Sequence, residues 1–299
     1  MITVTGDVLK AIKHSTGVRL AYRDEGSGPP ILLVHGWGVS GGLFAPQWEE
    51  LASRFRLIVP DMPGHGSSGE FPQGSDFELL ADCLAELIVE LRLQSLCLVG
   101  WSMGAMVSWD LLRRYPKLDI SGLVTVDMVP RLLNGPDWSY GLRYGEDHHV
   151  FDRHLSLMRS NWPAFTDLFM ARIFAPGDSA KTRDLLRSAK QIALQNHPES
   201  MARIWSQMVE QDFNAQMQDI TLPALVLSGK KSRLYSTQAT EWVACKMPNA
   251  THIEFEQSGH APNLEEPEKF NQLLSEFVDS INTGPAQAFI RPVTTGAQS

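Results

Sequence analysis

The pentapeptide GWSMG at residues 100–104 constrains the fold of this chain more than any other stretch. It follows the apolar run 96–99 and opens a stretch, residues 102–115, in which apolar side chains recur at helical spacing. A serine between two glycines at a turn from strand to helix is typical of a nucleophile elbow, whose strained backbone lifts the hydroxyl clear of the sheet. The motif therefore predicts that Ser102 is a nucleophile at the end of a buried strand.

Apolar runs alternate with helical patterns along most of the chain. Strands are predicted at residues 18–22, 31–34, 57–59, 96–99, 123–126, 224–227 and 251–255, and helices at residues 43–54, 77–91, 102–115, 237–245 and 267–281. Continuously apolar strands separated by helices predict an α/β fold, in which helices cover both faces of a mostly parallel central sheet.

The alternation is interrupted once, at residues 130–220, where amphipathic stretches occur without a strand pattern. We predict that this segment is a helical lid inserted into a core formed by residues 1–129 and 221–281. Residues 282–299 are rich in Thr, Gly, Pro and Ala without a period, so a loosely ordered tail is expected there.

The overall composition limits the class of partner. The chain has 299 residues, 43% of them hydrophobic, which is enough to bury a large core. Its formal net charge of -8 argues against nucleic acid or an anionic membrane as the main partner. No signal pattern or membrane-length apolar run is present, and the cysteines have no paired spacing, so we expect cytoplasmic residence and reduced core thiols at Cys83, Cys97 and Cys245.

A serine hydroxyl needs a base and oxyanion donors before it can act as a nucleophile at neutral pH. His260 is the candidate base, because it lies in a glycine turn after the last predicted strand, at the sheet edge where Ser102 emerges. The candidate oxyanion donors are the backbone N–H groups of Trp37, in the loop after an earlier strand, and Met103.

Four motifs occur in an order that resembles a known superfamily: HGWG at 35–38, DMPGHGSS at 61–68, GWSMG at 100–104, and GHAP at 259–262 followed by EEP. Over about residues 18–281 the chain resembles the α/β-hydrolase fold superfamily. Within it, the motifs look closest to the carboxylesterase that cleaves pimeloyl methyl esters in biotin synthesis. The resemblance implies an α/β-hydrolase fold with a helical lid after strand 6, and serine esterase or thioesterase activity.

The chain departs from this family at the residue that orients the histidine. Most members have Gly-x-x-Asp after the strand near Leu225, whereas residues 229–232 here read GKKS. The family's second location for the acid is the end of the strand before the lid, where this chain has Asp127. We expect Asp127 to complete the triad. A serine–histidine dyad weakly oriented by Ser232 or by backbone, and a degenerate site, remain as alternatives.

The predicted activity is hydrolysis of a carboxylic ester or thioester of an apolar acyl or aromatic small molecule, free or carrier-bound, through an acyl-enzyme. Acyltransferase, perhydrolase or carbon–carbon hydrolase activity on the same triad, and slow or non-catalytic ligand binding, are the alternatives. No cofactor or metal is expected, because the charged run 146–149 fits no zinc spacing and is interpreted as a solvated helix start. The substrate-binding candidates are Trp37, Trp101, Trp138, Phe165 and Phe169.

Overall fold

One sheet organises the computed structural model, which describes residues 9–143 and 148–283. Its strands are β1 (Lys10–Lys13), β2 (Arg19–Glu25), β3 (Pro30–Val34), β4 (Arg56–Pro60), β5 (Leu96–Trp101), β6 (Ile120–Val126), β7 (Ala224–Gly229) and β8 (Ala250–Phe255). They pair in the order β1-β2-β4-β3-β5-β6-β7-β8. Only β2 runs antiparallel to both of its neighbours, and every pair from β4 to β8 is parallel. The predicted mostly parallel sheet is confirmed.

Helices flank this sheet, as an α/β fold requires. They are α1 (Ala45–Leu51), α2 (Glu78–Glu90), α3 (Met103–Arg114), α4 (His148–Ser160), α5 (Trp162–Met170), α6 (Ala180–Ala193), α7 (Pro198–Val209), α8 (Thr237–Lys246), α9 (Pro262–Glu265) and α10 (Pro267–Asn282). Helix α1 packs against α10, α2 against α3, and α8 against β7 and β8. Among the described residues, no helix combines the length and the apolar character that a bilayer crossing needs.

The central strand β5 shows why the strands of this sheet could be predicted from continuous apolar runs. All six of its residues are buried, because helices cover a parallel sheet on both faces and leave no polar side to the strand. Helix α3 starts immediately after it and ends with Arg113 and Arg114, whose positive charges suit the negative end of the helix dipole. Helices α4–α7 all lie between β6 and β7, within the range predicted as an insertion.

The structure differs from the predicted elements where the sequence pattern is weak. Strand β1 has no apolar run, because it lies at the sheet edge and is mostly exposed. Helix α6 is mostly polar, with only Ala189 and Ala193 buried. The helix expected at 43–54 is a 3₁₀ turn followed by the shorter α1, which begins with a proline in its first turn.

One cysteine and the first residue of the expected tail differ from the sequence-based expectations. The expected core thiol Cys245 is exposed on α8, whereas Cys83 and Cys97 are buried; all three are free. Asn282, placed at the start of the expected tail, is the last residue of α10. Residues 284–299 of that tail, and residues 144–147 in the charged run, lie outside the described residues.

Candidate active site

Three of the predicted site residues follow strands of the parallel part of the sheet. Ser102 follows β5, Asp127 follows β6, and His260 lies in the loop after β8. Trp37 follows β3 in the same way. Because the carboxyl ends of parallel strands meet at one edge of a sheet, these residues come together although Trp37 and His260 lie far apart in the sequence.

Ser102 occupies the strained turn that its motif predicts. Its backbone φ of 55° and ψ of -121° lie in a region that non-glycine residues rarely adopt. The flanking glycines are required by close packing: a Cβ on Gly100 would lie 2.4 Å from the carbonyl oxygen of Gly104, and one on Gly104 would lie 2.1 Å from that of Val34. The Ser102 N–H donates to the carbonyl of Val126 at 2.9 Å, which attaches the turn to β6.

Asp127 and His260 form a buried hydrogen-bonded pair. Nδ1 of His260 lies 2.7 Å from Oδ2 of Asp127, and both side chains are 1% exposed. An ionised carboxylate can only accept, so Nδ1 carries the proton and Nε2 keeps its lone pair. Asp127 has a positive φ of 45°, and its N–H donates to the carbonyl of Leu227 at 2.7 Å.

Ser232 also contacts Asp127. Its hydroxyl donates to the same oxygen, Oδ2, at 2.7 Å. The backbone N–H of Gly229 lies 3.4 Å from the other oxygen, Oδ1. The side chain at the family's usual acid position therefore supports the carboxylate that follows β6, while that carboxylate holds the imidazole.

Tyr235 is a neighbour of the pair that the sequence did not suggest. Its ring centroid lies 5.7 Å from that of His260, and its hydroxyl donates to the sulfur of Met128 at 3.2 Å. Burial, reinforced by the charge of Asp127, raises the pKa of Tyr235 well above its usual value. It therefore presents a neutral wall to the imidazole.

The two predicted oxyanion donors are available. Within residues 9–143 and 148–283, neither the Trp37 N–H nor the Met103 N–H donates to a protein acceptor. The loop that carries Trp37 passes beside the serine, since a Cβ on Gly36 would lie 3.7 Å from the Ser102 hydroxyl oxygen. Two free amides next to a serine hydroxyl are what an oxyanion site requires.

An aromatic cluster covers Trp37. Its ring centroid lies 5.0 to 5.9 Å from those of the members contributed by α5 and α7, which are Trp162, Phe165, Phe169 and Trp205. The structure thus brings together three of the five predicted substrate-binding residues. Trp101 instead donates its indole N–H to the carbonyl of His260 at 2.7 Å, and Trp138 packs on Tyr140 and Trp242 outside the cluster.

A protein-family model described as "Alpha/beta hydrolase family" matches residues 31–273. This chain belongs to that family. It is 28% identical over 256 residues to a pimeloyl-[acyl-carrier protein] methyl ester esterase of Chromobacterium violaceum, an alignment that covers 85% of this chain and 96% of that protein.

Solved structures agree with this assignment. An esterase from Thermogutta terrifontis, solved with malate bound, matches with a TM-score of 0.81 at 27% identity and covers 93% of this chain and 100% of its own. An esterase from Exiguobacterium antarcticum, at 23% identity, matches the fold with a TM-score of 0.85 over 91% of this chain and 100% of its own. The relatives support a hydrolase enzyme.

Buried histidines hold the loop after β3 in this alpha/beta hydrolase. Nε2 of His65 accepts from the N–H of Gly38 at 3.0 Å, and Nε2 of His35 accepts from the N–H of Met62 at 2.9 Å. Nε2 of each imidazole therefore carries no proton, and each ring is neutral. Burial lowers the pKa of both rings, that of His65 to about 3, where the charge of His35 is a further cause. Both rings hold turns of the loops that follow β3 and β4.

The same loop is tied to helices α6 and α7. The side-chain amide of Asn196 donates to the carbonyl of Gly38 at 2.9 Å and accepts from the N–H of Gly66 at 3.2 Å. The Trp37 indole N–H donates to the carbonyl of Met201 at 3.1 Å. No sequence motif predicts the contacts of Asn196, because its partners Gly38 and Gly66 lie far away along the chain.

Proposed function

We propose that this chain is a serine hydrolase that cleaves a carboxylic ester or thioester of an apolar acyl or aromatic small molecule through an acyl-enzyme. The buried Asp127–His260 pair, at 2.7 Å, carries this proposal. Trp101, which immediately precedes Ser102 on its strained elbow, donates its indole N–H to the carbonyl of His260. This contact brings the histidine loop to the serine, as a base and its nucleophile require.

In the proposed mechanism, the Ser102 hydroxyl attacks the carbonyl carbon while Nε2 of His260 takes its proton. Asp127 stabilises the imidazolium that forms and keeps the ring in the required tautomer. The N–H groups of Trp37 and Met103 bind the oxyanion, each contributing on the order of 3 kcal/mol. The tetrahedral intermediate then collapses, His260 protonates the leaving alcohol or thiol, and water repeats the sequence on the acyl-enzyme.

The aromatic cluster supports an apolar substrate group. Rings from α5 and α7 pack on Trp37, and the same loop passes beside Ser102 at Gly36, so a bound group on this side of Ser102 meets aromatic carbon. We propose that the segment from α4 to α7 acts as a lid over the site. The relative named for a methyl ester on an acyl-carrier protein supports including carrier-bound esters among the candidate substrates.

Labelling with a fluorophosphonate probe tests the mechanism. Wild type should acquire one label, located at Ser102 by peptide mass spectrometry, and Ser102→Ala should lose it while keeping its melting temperature. Turnover of any active ester should fall about 10⁴-fold or more in this variant. Ser121→Ala, which removes a hydroxyl near the start of β6 at the opposite sheet edge, is the matched control and should label normally.

Product analysis separates hydrolysis from the other reactions of the same triad. With p-nitrophenyl esters and acyl thioesters, free acid should dominate even when an alcohol, an amine or hydrogen peroxide is added as competing nucleophile. Dominant transfer product would assign acyltransferase or perhydrolase activity instead. Binding of the esters without labelling or turnover would assign a ligand-binding member of the fold.

A further inference from the structure

The carboxylate of Glu265, in α9, joins two segments that lie far apart in the sequence. Oε1 accepts from the N–H of Ala175 at 2.6 Å, and Oε2 accepts from the N–H of Gly259 at 2.7 Å. Ala175 follows α5, in the segment that we propose as a lid, and Gly259 immediately precedes His260. One side chain thus bridges this segment and the histidine loop.

Other contacts bring the same two segments together. The backbone N–H of His260 donates to the carbonyl of Ile173 at 2.7 Å. A Cβ on Gly259 would lie 2.5 Å from the backbone nitrogen of Ala175, so the two chains touch without room for a side chain. The Lys181 ammonium, from α6, donates to the backbone carbonyl of Glu265 at 2.8 Å.

The two hydrogen bonds are strongest when the carboxylate is ionised. Each oxygen of Glu265 accepts one backbone N–H, and a backbone N–H can only donate. A protonated carboxyl group turns one of these oxygens into a hydroxyl, which is a poorer acceptor and carries a hydrogen of its own. Protonation therefore weakens one of the two bonds and loosens the bridge.

We propose that ionised Glu265 is a positioning residue that holds the histidine loop against the segment after α5, so that the placement of His260 depends on the docking of that segment. This inference rests on the proposed role of His260 as the base. The hydrogen-bond partners of the carboxylate are backbone amides and not Ser102 or the imidazole, so its proposed role is to position the loop rather than to transfer a proton.

The surroundings of Glu265 make this bridge sensitive to pH near neutrality. Burial raises the pKa of Glu265 to about 7, against the opposing effect of its backbone hydrogen bonds, and the charge of Asp127 raises it further. Lys181 faces the backbone oxygen rather than the carboxylate. The neighbouring Glu266 is occupied by the hydroxyl of Ser258 and the N–H of Gln257.

Glu265→Gln and Glu266→Gln form a matched pair of variants. Both of the donors to Glu266 use a single oxygen, Oε2, so a glutamine there can still accept both. The two donors to Glu265 use different oxygens, so a glutamine there can accept only one. The two variants remove the same charge from adjacent positions, and only one of them breaks the bridge.

Hydrogen exchange tests the bridge independently of any substrate. At pH 8, peptides that contain the amides of Ala175 and Gly259 should exchange about tenfold faster in Glu265→Gln than in wild type or Glu266→Gln. Equal exchange in all three proteins at these peptides would refute the bridge, whether or not the chain is an esterase.

The pH profile tests the positioning role. At about pH 8.5, kcat/KM of Glu265→Gln should be ten- to a hundredfold below wild type, since a misplaced base loses activity on that scale. The ratio should approach one near pH 5.5, where wild type has itself lost the ionised carboxylate. A ratio that stays constant across this range, or one that never exceeds about twofold, would overturn the proposal while leaving the Ser102 labelling result intact.

Stability should respond to pH in the opposite direction from activity. The pKa of Glu265 is raised in the folded state, so its contribution to stability is fully present below the ordinary glutamate pKa and is lost as the pH rises through about 7. Wild type should therefore lose stability relative to Glu265→Gln over the pH range in which it gains activity relative to that variant. A merely structural carboxylate would move both quantities in the same direction.

Discussion

Two non-glycine residues at the candidate site have positive φ angles. Ser102 has 55° and Asp127 has 45°, and each follows the last residue of its strand, β5 or β6. Such conformations are costly by about 1 to 3 kcal/mol each and persist where the surroundings impose them. Here each backbone N–H bonds to the next strand along the sheet, so the paired strand ends impose both turns.

Asp127→Asn should lower kcat/KM by up to about 10⁴-fold, because an amide favours the wrong imidazole tautomer and carries no charge to stabilise the imidazolium. Ser232→Ala should stay within about tenfold of wild type, because the bond from Asp127 to His260 does not need the serine hydroxyl. Steady-state kinetics of both variants on one ester measure this ranking, and their melting temperatures serve as the folding control. The reverse ranking would favour a dyad oriented from the loop after β7.

The proximity of Ser232 to Asp127 permits a test by relocation of the acid. Their oxygens are 2.7 Å apart, so a carboxylate at position 232 lies close to the one it replaces. The double variant Asp127→Asn with Ser232→Asp should recover at least about tenfold of the activity lost in Asp127→Asn. Asp127→Asn with Ser232→Asn is the control of similar size, and equal activity of the two double variants would argue against recovery by the carboxylate.

At the scale of elements, the loop after β3 is held from two sides. His65, on the loop after β4, and Asn196, between α6 and α7, bond to the N–H and the carbonyl of Gly38 respectively. The aromatic rings of α5 and α7 then pack on Trp37 in the same loop. The proposed oxyanion donor and the wall of the proposed acyl site therefore share one support, which makes both dependent on the packing of α5 to α7.

Phe169→Ala should shift the preferred acyl chain of p-nitrophenyl esters to greater length, because it removes a ring that packs on Trp37. In wild type each added methylene should raise kcat/KM by up to about fourfold until the site is full, corresponding to about 0.8 kcal/mol per buried methylene. Trp138→Phe is the control, since Trp138 packs on Trp242 outside the cluster. A profile that falls from acetyl upward in wild type would rule out an apolar acyl site.

At the scale of the whole molecule, buried neutral histidines make stability depend on pH. His65 has a pKa lowered to about 3 in the folded state, so between about 6.5 and 3 only the unfolded chain takes up its proton. Its contribution is fully present above about pH 6.5 and is lost as the pH falls. His35, whose pKa is also lowered, acts in the same direction.

Urea unfolding between about pH 5 and 8 measures this effect. The free energy of unfolding should fall by about 1.4 kcal/mol per pH unit below pH 6.5 because of His65, and the lowered pKa of His35 adds to this slope. His65→Gln should remove its share of the slope, because a glutamine oxygen can accept from the Gly38 N–H without titrating. The exposed His149→Gln is the control, and an unchanged slope in His65→Gln would contradict the assignment.

Much of the fold was predictable because its signals are local. Buried parallel strands such as β5 must be apolar on both faces, and the elbow at Ser102 needs glycines where backbones touch. His260 and Trp37 could be placed near that serine because parallel strands end at one edge. The exposed strand β1 and the polar helix α6 bury few side chains, so they have no such pattern and could not be predicted from the sequence.

The tertiary structure alone decided which side chains meet within that edge. It brought Asp127 into hydrogen-bond contact with the imidazole of His260, and Ser232 into contact with the same carboxylate. It also separated Trp138 from the cluster around Trp37. The long-range hydrogen bonds of Asn196 and Glu265 appear only there as well. The physical reason is that a strand or helix is specified by neighbouring residues, whereas these hydrogen bonds join segments whose approach is the result of packing the whole sheet and its helices.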